Sequence, residues 1–384
     1  MLEIGRVALR LGLTSFGGPI AHLGYFHEEY VVRRRWLDEA TYADLIALCQ
    51  ILPGPSSSQL GIAIGTLRAG VPGGLVAWLG FTLPSAVALA VFAALATPAG
   101  LAQAGWLDGL KVAAVAIVAQ AVIAMWRSLA ADRPRSLIAI ATAIAALLMP
   151  SPFTQLALIV AGAFVGWIAL RPTIPAETAD LRSPIGRRAG AALLGLFACL
   201  LLALPILRAV VPDRPVALAD AFFRAGALVF GGGHVVLPLL HGSVVPPGWV
   251  TDDQFLAGYG AAQAVPGPLF TFAAYLGEVI GGPLMAAVAL VAIFAPGFLL
   301  IWGTLPFWHD LRRSQRFRRA LVGTNAAVVG ILLAALYRPV WVSAVTAPTH
   351  AIVAILAFAA LLTRRVPPWA VVLLCAAAGE ALAR

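Results

Sequence analysis

Two proline-glycine-proline runs, Pro53-Gly54-Pro55 and Pro266-Gly267-Pro268, interrupt apolar sequence. Gln50 precedes the first and Ser56, Ser57, Ser58 and Gln59 follow it; Gln263 precedes the second. Proline breaks a helix from inside but suits its first turn, so each run ends one helix and starts another. A helix that starts in lipid points unpaired N–H groups and the positive end of its dipole at the break. Beside them, neutral hydroxyl and amide donors could replace the hydration shell of an oxyanion without trapping it by full charge pairing. A second breaker, Phe16-Gly17-Gly18-Pro19, is flanked by Thr14, Ser15 and His22, and returns as Phe230-Gly231-Gly232-Gly233 before His234.

The repeats lie 214 residues apart for the glycine breaker and 213 for Pro-Gly-Pro, with Arg10/Arg224, Gly12/Gly226 and Trp36/Trp249 in the same register. So little slippage argues for duplication. Helix breakers at matching places in two halves of a membrane protein point to a transport site at the repeat interface. The predicted organisation is a first repeat over 1–171, a linker and connecting helix over 172–211, and a second repeat over 212–384.

The elements that position these breakers follow from composition. Hydrophobic residues make up 61% of the 384-residue chain and charged ones 11%, a balance for lipid rather than water. Apolar stretches of spanning length are read at 75–95, 110–130, 136–150, 154–170, 189–211, 284–304, 320–337, 341–361 and 367–383. Their continuity and their alanine and leucine content exclude a β-barrel. Arg10 interrupts the first apolar run, so no cleavable signal peptide is expected. Cys49, Cys199 and Cys375 stand alone and read as small buried hydrophobes; neither disulfide nor zinc site is implied. The net charge of +9 comes almost wholly from arginines in loops, which the positive-inside rule explains without nucleic acid.

The four segments that carry breakers, 5–31, 42–66, 219–245 and 254–280, read either as kinked spans or as re-entrant hairpins. Hairpins are preferred. They put Arg33, Arg34, Arg35, Arg68, Arg127, Arg133, Arg135, Arg171, Arg182, Arg187 and Arg188 on one side of the first half, with Lys111 alone on the other. In the second half Arg312, Arg313, Arg316, Arg318, Arg319, Arg364 and Arg365 mark the cytoplasmic side, whereas the counterpart of the Arg33 loop reads Pro246 to Asp253. Positive charge has changed sides between matching loops. An all-α polytopic membrane protein with two inverted repeats and a cytoplasmic N-terminus is therefore expected, the span at 189–211 supplying the odd crossing.

Arg10 and Arg224, about two turns before the glycine breakers, are anion-ligand candidates, with snorkelling to the interface as the plainer reading. His22 and His234 could donate to the anion or carry a proton; a hydrogen-bonded structural role fits equally. Asp44 and Glu278 lead Glu28 and Glu29 as proton-coupling candidates. The serines and glycines could instead serve close helix packing. His27-Glu28 is not continued to H-E-x-x-H, because position 31 is Val31, and no phosphate-binding loop for ATP occurs. No nucleophile with a base in register suggests an enzyme, and no cofactor is expected.

Phe16-Gly17-Gly18-Pro19 with His22, Trp36, and Leu52-Pro53-Gly54-Pro55 with Gln59, repeated as Phe230 to Gly233, Trp249 and Pro266-Gly267-Pro268, resembles the chromate ion transporter family in its long, two-domain form. The resemblance covers essentially the whole chain. It implies a multi-pass inner-membrane protein that exports chromate, driven by membrane potential or proton gradient, with sulfate as a competing analogue. The family's motif positions fall on Gly17, Gly18, Pro19, Trp36, Pro53, Gly54, Pro55 and Gln59, and on Gly231, Gly232, Trp249, Pro266, Gly267 and Pro268. Members often carry an acidic residue directly after the first Pro-Gly-Pro; this chain has Ser56. A passive anion channel built on the same helix termini is the alternative. Expected partners are the oxyanion and the bilayer, with a homodimer left open.

Overall fold

The computed structural model describes residues 1–16, 18–96, 105–149, 152–170, 183–211, 213–230, 235–363 and 366–383, and no strand occurs among them. α1 (Leu2–Thr14) and α2 (Gly18–Phe26), which winds on as a π-helix over His27–Arg33, form a hairpin. Its two ends are joined by an ion pair of 2.7 Å between Arg34 and Glu3. α3 (Glu39–Ile51) and the first part of α4 (Ser56–Ala96) form a second one. α4 turns sharply at Ala69 and Gly70, and the Arg68 guanidinium sits 5.1 Å from the Trp36 ring that precedes α3. Both broken segments therefore return to the face they left.

Beyond Gly70, α4 runs on for about 39 Å, enough to cross a bilayer core. Its far end meets α5 (Gly105–Leu129) through Phe92 and Trp106, whose rings are 5.9 Å apart. There Lys111 pairs with Asp108 at 2.5 Å and with Asp253 at 2.9 Å. The loop that matches Arg33–Arg35 thus stands at the opposite face, which is the inversion expected from the charge pattern. α6 (Arg133–Leu148), α7 (Pro152–Ala169) and α8 (Arg187–Val210) follow. α8 is apolar and almost wholly outward-facing, with Gly190 as its only buried residue. Arg187 pairs with Asp310 at one end, and Arg208 lies 5.6 Å from the Trp249 ring at the other, so α8 joins the two faces.

The second half repeats the first in register: α9 (Arg214–Leu228), α10 (Val236–Val244), α11 (Asp252–Ala264), a 3-10 turn over Leu269–Thr271, α12 (Phe272–Gly281) and α13 (Pro283–Thr304). α3 and α11 match residue for residue at an offset of 213, down to their side-chain N-caps, Asp38 and Thr251. Gly282 repeats the positive-φ turn of Gly70, at 81° against 68°. α14 (Trp308–Arg313), α15 (Gln315–Ala335), α16 (Val342–Ala344), α17 (Pro348–Leu362) and α18 (Pro368–Leu382) complete the chain.

The repeats are interleaved rather than set side by side. α5 packs on α17 and α18, while α15 packs on α6 and α7, where Gly162 and Gly323 let the backbones approach. Two expectations are corrected. The stretch 341–361 is not one span: Ala347 is extended (φ −141°, ψ 156°) because a proline follows it, and Pro348 starts α17. Cys199 is exposed on the outward face of α8, whereas Cys49 and Cys375 are buried.

Candidate functional site

The four breakers meet. α1 ends at Ser15 (φ −87°, ψ 96°) and α9 ends at its counterpart Val229 (φ −78°, ψ 109°), each about 20 Å of helix from its own face. Each carbonyl is taken by the other repeat. The N–H of Gly54 donates to the carbonyl of Val229 at 2.7 Å, and the N–H of Gly267 donates to that of Ser15 at 2.9 Å. Both glycines hold positive φ, 120° and 98°, which no side-chain-bearing residue adopts readily. One turn earlier, Gly12 and Gly226 let α1 and α9 lie close on α4 and α13 of their own repeats. A Cβ on Gly12 would stand 2.6 Å from the carbonyl oxygen of Gly80, and one on Gly226 2.1 Å from that of Ile293. The result is a reciprocal clasp between the halves, at half-depth.

The two sides of the clasp differ chemically. After Pro55, α4 starts as an α-helix, so the N–H groups of Ser56, Ser57 and Ser58 have no intrahelical acceptor. Gln59 closes the loop, its backbone N–H donating to Pro55 and its Nε2 to Pro53, both at 2.8 Å. His22 is fully buried, with Nε2 3.2 Å from the Ser15 carbonyl and Nδ1 3.2 Å from Ser57 Oγ. A carbonyl only accepts, so Nε2 carries the proton and Nδ1 accepts from the hydroxyl. After Pro268 the chain makes a 3-10 turn instead, with Leu269 and Phe270 buried and Thr271 Oγ1 donating to Pro268 at 2.7 Å.

On the first side several polar atoms are buried and lack a hydrogen-bond partner among the described residues: Ser15 Oγ, Ser58 Oγ, Gln59 Oε1 and Thr82 Oγ1. The residues that carry them border the crossing. Thr82 follows Phe81, whose ring stacks edge-on to His22 at 5.2 Å, and Ser85 Oγ lies 2.8 Å from where a Cβ on Gly267 would be. Buried polar groups left dry cost about 1 to 3 kcal/mol each. Ser15 ends α1, Ser58 and Gln59 open α4, and Thr82 lies in the part of α4 that packs on α1, so these elements meet with polar groups still to be satisfied.

The family's sequence model, described as Chromate transporter, matches residues 2–167 and again 216–380. The starts of the two matches differ by 214 residues, the offset of the glycine breakers. This chain belongs to the chromate transporter family. It is 30% identical to a chromate transport protein of Pseudomonas aeruginosa over 342 residues, 84% of this chain and 77% of that protein. It is also 30% identical to a probable chromate transport protein of Synechococcus elongatus over 344 residues, 87% and 83% of the two chains. A third, the chromate transport protein of Cupriavidus metallidurans, is 29% identical over 363 residues, 92% of this chain and 86% of that protein. No solved structure matches.

Pro53, Gly54, Pro55, Gln59, Pro266, Gly267 and Pro268, all among the residues singled out from the sequence, form or adjoin the clasp. Gly18 starts α2 with a φ of 77°. Gly17, Gly231, Gly232 and His234, and the side chain of Pro19, lie outside the described residues. Gln50 is exposed at the end of α3, and Gln263 is half-buried at the matching place in α11. Ser56 is half-buried and Ser57 buried. Asp44 is buried in α3, and Glu278 is half-buried in α12 near the turn at Gly282.

Both arginines are held by carboxylates. Arg10 is more than half exposed and pairs with Glu29 at 3.8 Å. Glu29 also takes Arg33 at 3.5 Å and Arg34 at 2.6 Å. Arg224 is one-third exposed and pairs with Asp220, one turn back in α9, at 2.5 Å. Asp220 has 0% exposure and also receives Arg208 from α8 at 3.3 Å. Thr82, Ser85 and Asp220 are absent from the sequence candidates. The available signal was polar residues beside an in-helix proline, Thr82 and Ser85 about Pro84, whose counterparts about Pro296 are Phe294 and Gly297.

Proposed function

We propose that this protein is a secondary transporter that exports chromate, or a related tetrahedral oxyanion such as sulfate, across the inner membrane, with its N-terminus in the cytoplasm. The observation that carries the reading is the clasp at half-depth with unpaired buried donors beside it, Ser15, Ser58 and Thr82 on the first side and Gln263 Nε2 on the second. Hydroxyls of Ser15, Ser58 and Thr82 and the N–H groups at the start of α4 offer a dianion several donors and no fixed countercharge. That environment favours binding that is specific and reversible. The hairpins of the two repeats lead from opposite faces to the same crossing, an arrangement that suits alternating exposure.

Export needs little further drive. Each negative charge leaving a cell that is negative inside gains about 2.3 kcal/mol per 100 mV. The test is flux of labelled chromate and sulfate in proteoliposomes under an imposed potential. Saturable, trans-stimulated chromate flux that falls in Thr82→Val and Ser58→Ala supports the reading. Flux that neither saturates nor responds to anion on the far side would make the protein a channel, and flux of neither anion by folded protein would sink the substrate assignment.

A further inference from the structure

Two indoles lie against one phenylalanine of α13, and they are satisfied differently. The rings of Trp78 and Trp302 stand 5.3 and 4.9 Å from that of Phe298. Trp302 Nε1 donates to Thr66 Oγ1 at 2.8 Å, and Thr66 in turn donates to the Ile62 carbonyl at 2.7 Å. Trp78 is 9% exposed, and its Nε1 is buried with no hydrogen-bond partner among the described residues. An indole nitrogen can only donate, so what it lacks is an acceptor. In an apolar interior an unmade bond of this kind is costly.

Contacts on both repeats fix where that donor stands. On α4, Trp78 comes one turn before Thr82 and two before Ser85, so the three share a helix face. Thr82 Oγ1 is unpartnered, and Ser85 borders Gly267 of the clasp. On α13, Phe294 and Phe298 hold the Trp78 ring at 5.5 and 5.3 Å. Gly297, between them, is where the first Pro-Gly-Pro rests. Its Cα is 3.6 Å from the place of a Cβ on Gly54, and a Cβ on Gly297 itself would meet Pro55 Cδ at 3.4 Å and Gln59 Cγ at 3.5 Å. Trp78 thus adjoins Thr82 along one helix and the clasp loop across another. Only the first repeat has it: at the offset of 212 that relates Gly70 to Gly282 and Pro84 to Pro296, its counterpart is Leu290. Trp308 Nε1 is unpartnered too, but stands eleven residues past Gly297, about 16 Å further along the chain.

We propose that Trp78 is a further ligand of the oxyanion, its indole N–H donating to one oxygen at the margin of the site nearest the Arg33 to Arg35 face. This deepens the reading above and rests on it. From the turn at Gly70, Trp78 lies about 12 Å along α4 and Thr82 about 18 Å, so an anion arriving from that face meets the indole before the hydroxyls. A hydroxyl can serve a ligand that donates or one that accepts, whereas the indole serves only an acceptor. It therefore adds selectivity for an anion over a cation and no fixed charge that would trap the anion. Trp302, its N–H already committed to Thr66, is a packing residue.

The experiment is equilibrium binding of labelled chromate to the purified full chain in detergent, with thermal unfolding of the same samples. Trp78→Phe keeps an aromatic ring beside Phe298 and removes the N–H. It should bind chromate about tenfold more weakly, through loss of one hydrogen bond to a charged ligand, and unfold no earlier than the wild type, because no protein partner is stranded. Trp302→Phe should do the opposite: it unfolds earlier, having lost the bond to Thr66, and keeps chromate affinity within about twofold. Where Trp78→Phe does not fold, benzothienylalanine in place of Trp78 preserves the bicyclic ring with sulfur instead of N–H, and the same weakening is expected. Affinity within about twofold of the wild type without the Trp78 N–H, or equal weakening by Trp78→Phe and Trp302→Phe, overturns this proposal and leaves the transporter reading standing. Absence of chromate binding by folded wild type overturns both.

Discussion

The two sides of the clasp share a backbone and differ in chemistry. In each repeat a glycine N–H reaches across to the carbonyl that ends the other repeat's first helix, at 2.7 and 2.9 Å. The first repeat joins His22 to Ser15 and Ser57 there and adds the buried hydroxyls of Ser58 and Thr82, whereas the second has buried Leu269 and Phe270 after its Pro-Gly-Pro and one unpartnered amide, Gln263 Nε2, before it. Duplication fixed the architecture, because a reciprocal contact constrains both halves alike. Side chains were free to diverge, so one half carries most of the polar groups and the other is the more apolar.

The largest expected effect breaks the shared part. Gly12→Ala and Gly226→Ala should each destabilise the fold by about 3 kcal/mol or more, since the new methyl meets backbone that has no room to move. Yield of monodisperse protein and thermal unfolding in detergent report it. Equal damage by the two is expected; a tolerated Gly226→Ala would show that the second repeat does not depend on this close packing as the first does.

Next comes the unshared part. Thr82→Val or Ser58→Ala should lower kcat/KM for chromate flux about tenfold with little loss of stability, because each removes a donor to a charged ligand and leaves no protein partner stranded. Thr271→Val in the second repeat should do the reverse: it removes a satisfied bond to Pro268, costs about 1 kcal/mol of stability and leaves flux within about twofold. Arginine should divide the same way. Arg224→Ala is expected to lose most chromate flux, while Arg10→Ala, whose partner Glu29 keeps Arg33 and Arg34, should change stability by under about 1 kcal/mol and leave flux near the wild type.

The smallest effect distinguishes the two matching helix caps. Asp38 caps α3, and the bond from the Thr41 backbone N–H holds its carboxyl below the usual carboxylate range. A carboxylate lowered on folding contributes stability above its unfolded pKa, about 3.9, and loses it as pH falls through the folded value. The Thr251 cap of α11 does not titrate. Hydrogen exchange at the Thr41 amide should therefore quicken as pH is taken below about 4, relative to the intrinsic rate, while exchange at Gln254 keeps pace with its own. Parallel behaviour at both amides would deny the cap its role.

Much of this was legible beforehand. The breakers, their offset and the exchange of arginine between matching loops gave the inverted repeats, and the ion pair of Arg34 with Glu3 gives the hairpins the geometry that charge counting favoured. The serines after Pro55 marked the polar side. Hidden from the sequence were Thr82 and Ser85, which lie in an apolar span and join the crossing only because α4 folds back past Gly70 and packs on α1. Arg10 and Arg224 read as equivalent, yet one is braced by a saturated Glu29 and the other by a half-satisfied Asp220.

The sequence by itself determined the solvent, the helices, their ends and the pseudo-symmetry, because apolar length, proline, glycine and arginine act locally and their energies do not depend on distant partners. Only the tertiary structure decided which breaker answers which, that α5 and α15 each pack into the other half, and which buried oxygens are left without a partner. Those outcomes depend on contacts between residues as far apart as Gly54 and Val229, and in lipid every backbone group freed by a break must find its partner wherever the fold brings one.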